Sequence, residues 1–334
     1  MKNINLQLFA NTVQTTLLDG LTPEMKTFYD MTLIDEAGPA LVHDQFGQKR
    51  PIPANGGKTI EFRKFSPLAK ATTPLTEGVT PDGKSLNVTA ITATVNQYGD
   101  YITQSDVLEL TSLDNTILEA TKLLGKQAGA TLDTIVRDIL VAGTNVSYAS
   151  KWAGDVETVV EERKNLDATS TLKVDTIQRA VAKLRAQNAP TINGKYVGII
   201  HPYVAYDLMR DPEWIDAHKY TTSTNLYEGE IGEIAGVRFV QTTEAKIWKD
   251  SDCPSGLAVF ACLILGEGAY GVTEITGGGL QTIVKQKGSA GTADPLDQRS
   301  SVGWKAIKTA ERLVENYMVR VECCSKFSAT TAAN

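Results

Sequence analysis

The chain has 334 residues, of which 42% are hydrophobic and 22% charged, a composition typical of globular proteins. It excludes a disordered or collagen-like chain, and the longest apolar run, residues 257–265, is roughly half of a bilayer span. Lys and Arg total 33 against 39 Asp and Glu, which gives a net charge of −6. Because no cationic cluster occurs, tight nucleic-acid binding is not expected.

Cysteine and histidine are too few and too scattered to predict a metal site. The four cysteines lack a C-x-x-C spacing and the three histidines lie far apart, so no metal and no cofactor is predicted. We expect small buried thiols in a reducing cytoplasm. The first 14 residues lack the apolar core of a signal peptide, which also favours synthesis and assembly in a cytoplasm.

Two β-rich segments flank an unusual loop near the N-terminus. Ile60 and Phe62 alternate with charged residues, and the run 87–95 is rich in β-branched residues, so each predicts a strand. The intervening residues 70–84 hold two Pro, two Gly and almost no candidate core residue. Such long loops are uncommon unless they bind something. We predict a long hairpin that another chain covers; the alternative is a floppy surface loop.

A single long helix is predicted over residues 116–140, where apolar residues recur every three or four positions and proline is absent. Asp133 and Arg137 are expected to form an i,i+4 ion pair on it. Gly125 and Gly129 lie inside the helix. Their small size predicts either a close crossing or simple tolerance of glycine.

The second half of the chain has a mixed α/β pattern. Asp175 and Gln178 suggest a capping box before a helix, and His201 precedes a proline that opens another helix. Strands are predicted at Tyr196–Ile200, at Val237–Gln241, within 257–265 and, as a closing strand, at 314–324. Residues 329–334 are expected to fray.

One glycine motif suggests an enzyme but lacks the expected context. Residues 266–271 match G-x-G-x-x-G after a buried strand, yet a β-like stretch and three glycines follow where a dinucleotide site needs a helix. We therefore expect a turn between strands. His201 is expected to be structural, and neither a nucleophile elbow nor a Walker loop occurs, so no catalytic residue is predicted.

Several segments together resemble one family. They are residues 75–81 with 97–101, residues 232–242, residues 266–272, and residues 294–296 with 302–306. Their order and spacing are similar to those of the major capsid proteins of tailed bacteriophages, in particular the N-four-like group. The resemblance spans residues 30–325 and implies the α+β HK-ninety-seven-like capsid fold.

This resemblance implies a domain organisation. Residues 1–30 would be an N-terminal arm and residues 57–96 the extended hairpin loop. The peripheral domain would comprise 31–56, 97–169 and 293–327, with 116–140 as its spine helix. The axial domain would be residues 170–292, and 328–334 would be the tail.

The resemblance also implies a structural function. The chain would assemble through hexamers and pentamers into an icosahedral shell that encloses double-stranded DNA without sequence-specific binding, in the virion and, during assembly, in the host cytoplasm. Portal protein and decoration proteins would be further partners, together with a separate scaffolding protein or with none. A membrane, a covalent cross-link and a cleaved scaffolding segment are not expected. The charged interface candidates on the hairpin are Arg63, Lys64, Glu77, Asp82 and Lys84.

Two alternatives remain open at this point. The first is a shell-forming protein of a cargo compartment, which would enclose protein instead of DNA. The second is a nucleotide-binding α/β enzyme that uses the glycine motif.

Overall fold

A computed structural model of the chain describes residues 31–33, 36–37, 41–65, 68–80, 82–112, 116–154, 156–218, 232–289 and 294–334. The predicted N-terminal arm, residues 1–30, lies outside these residues. The chain divides into two compact units. The first contains Met1–Ala37, Gly99–Ala128 and Leu280–Ala306, and the second contains Gly38–Tyr98, Gly129–Gly279 and Ile307–Asn334.

The architecture is α+β, as predicted. The helices are α1 (Asp106–Thr111), α2 (Thr116–Val141), α3 (Val174–Ala186), α4 (Pro202–Met209) and α5 (Pro212–His218), with short 3-10 helices at Arg163–Asn165 and Glu315–Tyr317. The strands are β1 (Gln48–Lys49), β2 (Thr59–Phe65), β3 (Val88–Thr94), β4 (Asn96–Ser105), β5 (Val146–Tyr148), β6 (Lys151–Ala153), β7 (Val156–Thr158), β8 (Tyr196–Ile200), β9 (Glu233–Ile234), β10 (Val237–Gln241), β11 (Ile247–Trp248), β12 (Val259–Leu265), β13 (Tyr270–Glu274), β14 (Gln281–Lys285), β15 (Arg299–Arg312) and β16 (Met318–Cys323).

The predicted long helix is confirmed as α2, and in the first unit one of its glycines marks a close crossing. A Cβ atom on Gly125 would lie 2.8 Å from the carbonyl oxygen of Leu33, closer than a side chain can approach. The backbone of Leu33 therefore packs where only glycine leaves room. Of the two explanations for Gly125, close crossing is the correct one.

The first unit also holds the pairing of β14 and β4 with the N-terminal half of β15. In the β14 ladder, Gln281 lies opposite Lys305 and Lys285 lies opposite Ser301. The indole nitrogen of Trp304 donates to Gln127 Oε1 at 3.2 Å.

The second unit is built on a sheet with the strand order β5-β16-β12-β8-β10-β9, and β11 pairs with β12. All residues of β8 and β12 are buried because both faces of the sheet are covered. Helices α3 and α4 pack on the face that carries Ile200 and Phe260, and Val136 and Leu140 of α2 pack on the other. This two-sided packing explains why the sequence of β12 is continuously apolar instead of alternating.

The closing strand is present but shorter than predicted. Residues Glu315–Tyr317 form a 3-10 turn, and β16 begins at Met318. It pairs antiparallel with β12 and parallel with β5. The family resemblance implies that residues 293–327 complete the sheet of the peripheral domain, whereas β16 pairs within the sheet that contains β8 and β12. The division into peripheral and axial domains therefore stays a prediction.

Two local predictions are wrong because partners distant in sequence take over. Helix α3 begins at Val174, so Asp175 lies inside the first turn and cannot form the capping box; the amide of Val174 donates to Asp211 Oδ2 at 2.8 Å. Asp133 does not pair with Arg137. It is fully buried, accepts the amide of His43 at 2.7 Å and lies 2.6 Å from the His43 ring nitrogen.

The expectation of a frayed C-terminal tail is also wrong. The amide of Ala258 donates to the carbonyl of Ala329 at 2.7 Å, which attaches the tail beside the start of β12. Asn334 Oδ1 accepts the amide of Ile247 at 2.9 Å, and its side-chain nitrogen donates to the carbonyl of Ala245 at 3.0 Å. Backbone and side-chain hydrogen bonds thus hold a segment whose composition alone predicts mobility.

Candidate assembly surface

The predicted hairpin is formed by β2 and β3, which pair from Thr59 opposite Thr94 to Phe65 opposite Val88. Its base is anchored in the second unit by Phe62, which is 3% exposed. The ring of Phe62 occupies the space in which a side chain on Gly271 would lie, with two ring atoms 2.8 Å from an ideal Cβ position. This contact fixes the base of the hairpin against β13 and accounts for a glycine within that strand.

Beyond the anchored base, the hairpin has no core of its own. Every described residue between positions 65 and 88, here called the hairpin tip, is exposed to solvent. Six large apolar side chains are at least half exposed there: Phe65, Leu68, Leu75, Val79, Leu86 and Val88. A monomeric protein seldom exposes so many apolar residues on one segment, so this is the chemistry of a contact surface.

The charged candidates lie on the same hairpin but do not form one cluster. Arg63 lies on β2 and its Nε is 3.2 Å from Glu61 Oε1, while Lys64 is exposed on the same strand. Lys84 approaches the carbonyl of Ala69 at 3.5 Å. Within the described part of the chain, Glu77 and Asp82 are exposed and form no ion pair.

The charge of the hairpin differs in sign from that of the whole chain. Residues 57–96 carry five Lys and Arg and three Asp and Glu, a net charge of +2, although the chain as a whole carries −6. The sequence pattern predicted the charged residues of this surface and did not predict the apolar ones. An apolar residue predicts burial by default, so the sequence alone did not indicate that these six are exposed.

The glycine motif lies in a turn between strands, as predicted. Residues 266–269 of the motif connect β12 to β13, and Tyr270 and Gly271 begin β13. A Cβ atom on Gly266 would lie 2.7 Å from the carbonyl oxygen of Pro190. Gly268 has a φ of +70°, which favours glycine in a tight turn. Since β13 follows where a dinucleotide site requires a helix N-terminus, these glycines have a structural explanation.

The remaining candidate groups for chemistry are structural. His201 caps α4, and its Nδ1 accepts the amide of Tyr203 at 3.1 Å; burial lowers its pKa. The four cysteines are buried and unpaired, as predicted, and burial raises the pKa of Cys324 to about 12. No group of His, Cys, Asp and Glu among the described residues could hold a metal ion. None of the described helices is both long and apolar enough to cross a bilayer.

The second unit thus combines a packed α+β sheet with a hairpin that is anchored at its base and exposed at its tip. Solved structures of viral shells have the same fold. The capsid of cyanophage Pam1 matches with a TM-score of 0.64 at 12% identity over 86% of this chain and 92% of that chain. The capsid of Ralstonia phage GP4 matches with a TM-score of 0.63 at 14% identity over 85% and 88%.

A particle of different origin also shares the fold. The virus-like particle from Pyrococcus furiosus matches with a TM-score of 0.51 at 9% identity over 89% of this chain and 99% of that chain. A search of curated proteins finds no match. Together, these structures confirm the HK-ninety-seven-like fold.

The family model described as phage capsid protein matches residues 65–310. The chain belongs to this family. It is a structural capsid protein of a bacteriophage, it associates with copies of itself in the shell, and it is located in the virion capsid. Membership of the N-four-like group stays a prediction.

Proposed function

We propose that the chain is the repeating subunit of hexamers and pentamers in an icosahedral shell around double-stranded DNA, and that its hairpin lies on a neighbouring copy. One observation carries this proposal: the base of the hairpin is anchored while every described residue of its tip is exposed. A two-stranded ribbon is marginally stable alone. A neighbouring copy would supply the missing apolar contacts.

The energetics favour many modest contacts over one strong one. Ordering the hairpin tip costs conformational entropy, which association with a neighbour offsets by burying apolar area. Each contact between two copies is then weak enough that a wrongly placed copy can dissociate during assembly. The sum over several neighbours makes the closed shell persistent.

The charged candidates are proposed to border this contact. Arg63, Lys64, Glu77, Asp82 and Lys84 are exposed on the hairpin. Apart from Arg63, which pairs with Glu61, they form no ion pair among the described residues and would meet charges of opposite sign on a neighbour. As rim charges, they are expected to affect the rate and salt dependence of association more than its affinity.

The division into parts is a proposal with the same basis. Residues 1–30 would form an arm and 57–96 the extended loop. The peripheral domain would comprise 31–56, 97–169 and 293–327, the axial domain 170–292, and the tail 328–334. The shell would assemble in the host cytoplasm with a portal protein, a scaffolding protein and decoration proteins.

The shell is proposed to act without catalysis and without specific DNA contacts. The net charge of −6 disfavours adhesion of DNA to the wall. The glycine motif, the one feature that suggested an enzyme, forms a turn between strands.

The size of the wild-type particle tests the assembly proposal. We would measure mass photometry over a range of protein and salt concentrations and image the heaviest species by negative stain. Pentamers, hexamers or closed shells are expected. A monomer or dimer under all conditions, also in the presence of candidate scaffolding and portal proteins, would contradict the proposal.

A cargo compartment is the second candidate, favoured by the fold shared with the virus-like particle from Pyrococcus furiosus. The contents of particles purified from infected or induced cells separate the two functions. Double-stranded DNA inside the particles is expected for the phage shell. Homogeneous particles filled with protein and lacking nucleic acid would support the compartment instead.

A further inference from the structure

A small cavity in the second unit lies between the base of the hairpin and the end of β1. Its volume is about 150 Å³, below the range of about 300–1,000 Å³ that is usual for clefts holding drug-sized ligands. Three cationic side chains line it, those of Arg50, Arg63 and Lys64, and no Asp or Glu is among the described residues that line it. We call it the cationic cavity.

The three cations come from two separate parts of the chain. Arg50 follows β1, and its amide donates to the carbonyl of Val272 at 3.1 Å, which holds it beside β13. Arg63 and Lys64 lie on β2. The guanidinium carbon of Arg50 lies 5.8 Å from the centre of the Phe62 ring, so the two parts contact each other. Arg50 lies well apart from the other two cations in the sequence, and only the fold brings all three to one cavity.

The positive charge of the cationic cavity is only partly neutralised by the protein. Arg63 Nε lies 3.2 Å from Glu61 Oε1 in an exposed pair. Arg50 and Lys64 form no ion pair with any described residue. Three cations and the one carboxylate paired with them give a net charge of +2. Like charges around one small cavity repel each other, so a bound anion would stabilise this arrangement.

Much of the remaining wall of the cationic cavity is apolar and is formed by Phe62, Ile91, Leu313 and Val314. The amides of Leu313 and Val314 donate to the carbonyl of Ala269 at 2.9 and 3.1 Å, which fixes this part of the wall. Apolar walls lower the local dielectric constant. The attraction between the cations and an anion is therefore stronger here than on an open surface.

We propose that the cationic cavity binds one phosphate group and that the bound group links the base of the hairpin to the body of the same subunit. A guanidinium offers planar N–H donors that match two phosphate oxygens, and a lysine ammonium adds a point charge. The net +2 suits the charge of about −1.5 to −2 on a phosphomonoester. No atom lies within 4 Å of a Cβ built on Gly268, another lining residue, which leaves the cavity open on that side.

Two sources supply a phosphate group of this kind. One is a free phosphate or phosphomonoester, and the other is the phosphodiester backbone of nucleic acid. Contacts to a nucleic-acid backbone carry no sequence information, which agrees with a shell that makes no specific DNA contacts. The inference goes beyond the proposed function and does not depend on assembly.

Calorimetric titration of the purified full-length protein with inorganic phosphate, at an ionic strength held constant with chloride, tests the site. The double variant Arg50→Gln/Lys64→Gln removes two cations of the cavity. Lys70→Gln is the matched control, because Lys70 is an exposed cation of the same hairpin that does not line the cavity. We expect the dissociation constant for phosphate to rise about tenfold or more in the double variant and to stay within about twofold in Lys70→Gln.

The melting temperature without phosphate shows whether the double variant is folded. It should match that of the wild type, because Arg50 and Lys64 are exposed. If the double variant melts earlier, Lys64→Gln alone replaces it, with an expected rise of about threefold or more in the dissociation constant.

A short double-stranded DNA of random sequence distinguishes the two sources. Weaker DNA binding by the double variant, with the slope of log affinity against log salt concentration reduced by about one, assigns the site to a nucleic-acid backbone. Phosphate binding without such a change for DNA assigns it to a free phosphate.

Equal affinities of the wild type and the double variant for both probes, or a wild type that binds neither probe, would overturn the inference. The proposed function would then still stand, because its test is particle formation by the wild type.

Discussion

Strand β12 and the hairpin of β2 and β3 have the same secondary structure and opposite surroundings. All seven residues of β12 are buried, whereas Phe62 is the one buried residue of β2. The first is held between helices of its own chain, and the second is anchored at its base and exposed at its tip. Substitutions in the sheet should therefore change the free energy of unfolding, and substitutions in the hairpin tip should change association.

The largest loss of stability is expected at a buried carboxylate beside β12. Glu322 of β16 is fully buried; Arg163 donates to it at 2.6 and 2.8 Å, and Arg320 at 2.8 Å. Glu322→Gln removes the buried anion that Arg163 and Arg320 share, while Arg163 keeps only the more distant Asp250 carboxylate at 3.9 Å. We therefore expect a loss of about 3–5 kcal/mol in the free energy of unfolding, measured in urea.

The matched control is Glu77→Gln on the exposed hairpin tip, which should unfold at the wild-type urea concentration. Equal stability of the Glu322→Gln and wild-type proteins would contradict the assignment of the sheet as the stabilising region.

An intermediate effect is expected where the two regions meet. Gly271→Ala would place a methyl group 2.8 Å from the ring of Phe62 and displace the base of the hairpin. We expect a loss of about 1–3 kcal/mol in thermal or chemical unfolding. Gly83→Ala is the control, since no atom lies within 4 Å of its new methyl group. A Gly271→Ala protein with wild-type stability would show that the ring does not anchor the hairpin.

The smallest effect is expected at the C-terminal tail. Asn334→Ala removes the side-chain hydrogen bonds to Ile247 and Ala245, which should cost about 1–2 kcal/mol in the free energy of unfolding. Thr330→Ala in the same exposed segment should have no measurable effect, since its carbonyl remains to accept from Lys249. Identical unfolding curves for both variants would indicate that the tail frays after all.

Local periodicity in the sequence predicted the helices and strands whose formation depends on neighbouring residues. The spacing of Leu124, Ala128, Leu132 and Val136 contributed to the prediction of α2, and all four are buried. The alternation around Ile60 and Phe62 likewise predicted β2. In each case the pattern lies within one element, so a single sequence carries it.

Contacts between distant residues could not be predicted in this way. The cap of α3 comes from Asp211, 37 residues from Val174, and Asp133 binds His43, 90 residues away. Nothing in a single sequence pairs such residues. Local rules therefore assigned Asp175 to a capping box and Asp133 to an ion pair with Arg137, and both assignments were wrong.

The sequence predicted where the candidate surface lies, but only part of the residue types that form it. The sequence placed it on the hairpin because residues 70–84 lack core residues. It favoured charges such as Glu77 and Lys84, while the exposed apolar residues Leu75 and Val79 were overlooked. Apolar residues predict burial by default, and only the structure establishes that these two have no core to join.

Removal of residues 72–84, the outer part of the hairpin tip, tests the central claim most directly. Residues 72–84 would be replaced by a short Gly-Ser connection, and the variant compared with the wild type by calorimetry and mass photometry. We predict a melting temperature within about 2 °C of the wild-type monomer and no pentamers, hexamers or shells. Loss of the folded monomer would contradict the account by placing the loop in the core, and shells of wild-type size would contradict it by making the hairpin dispensable.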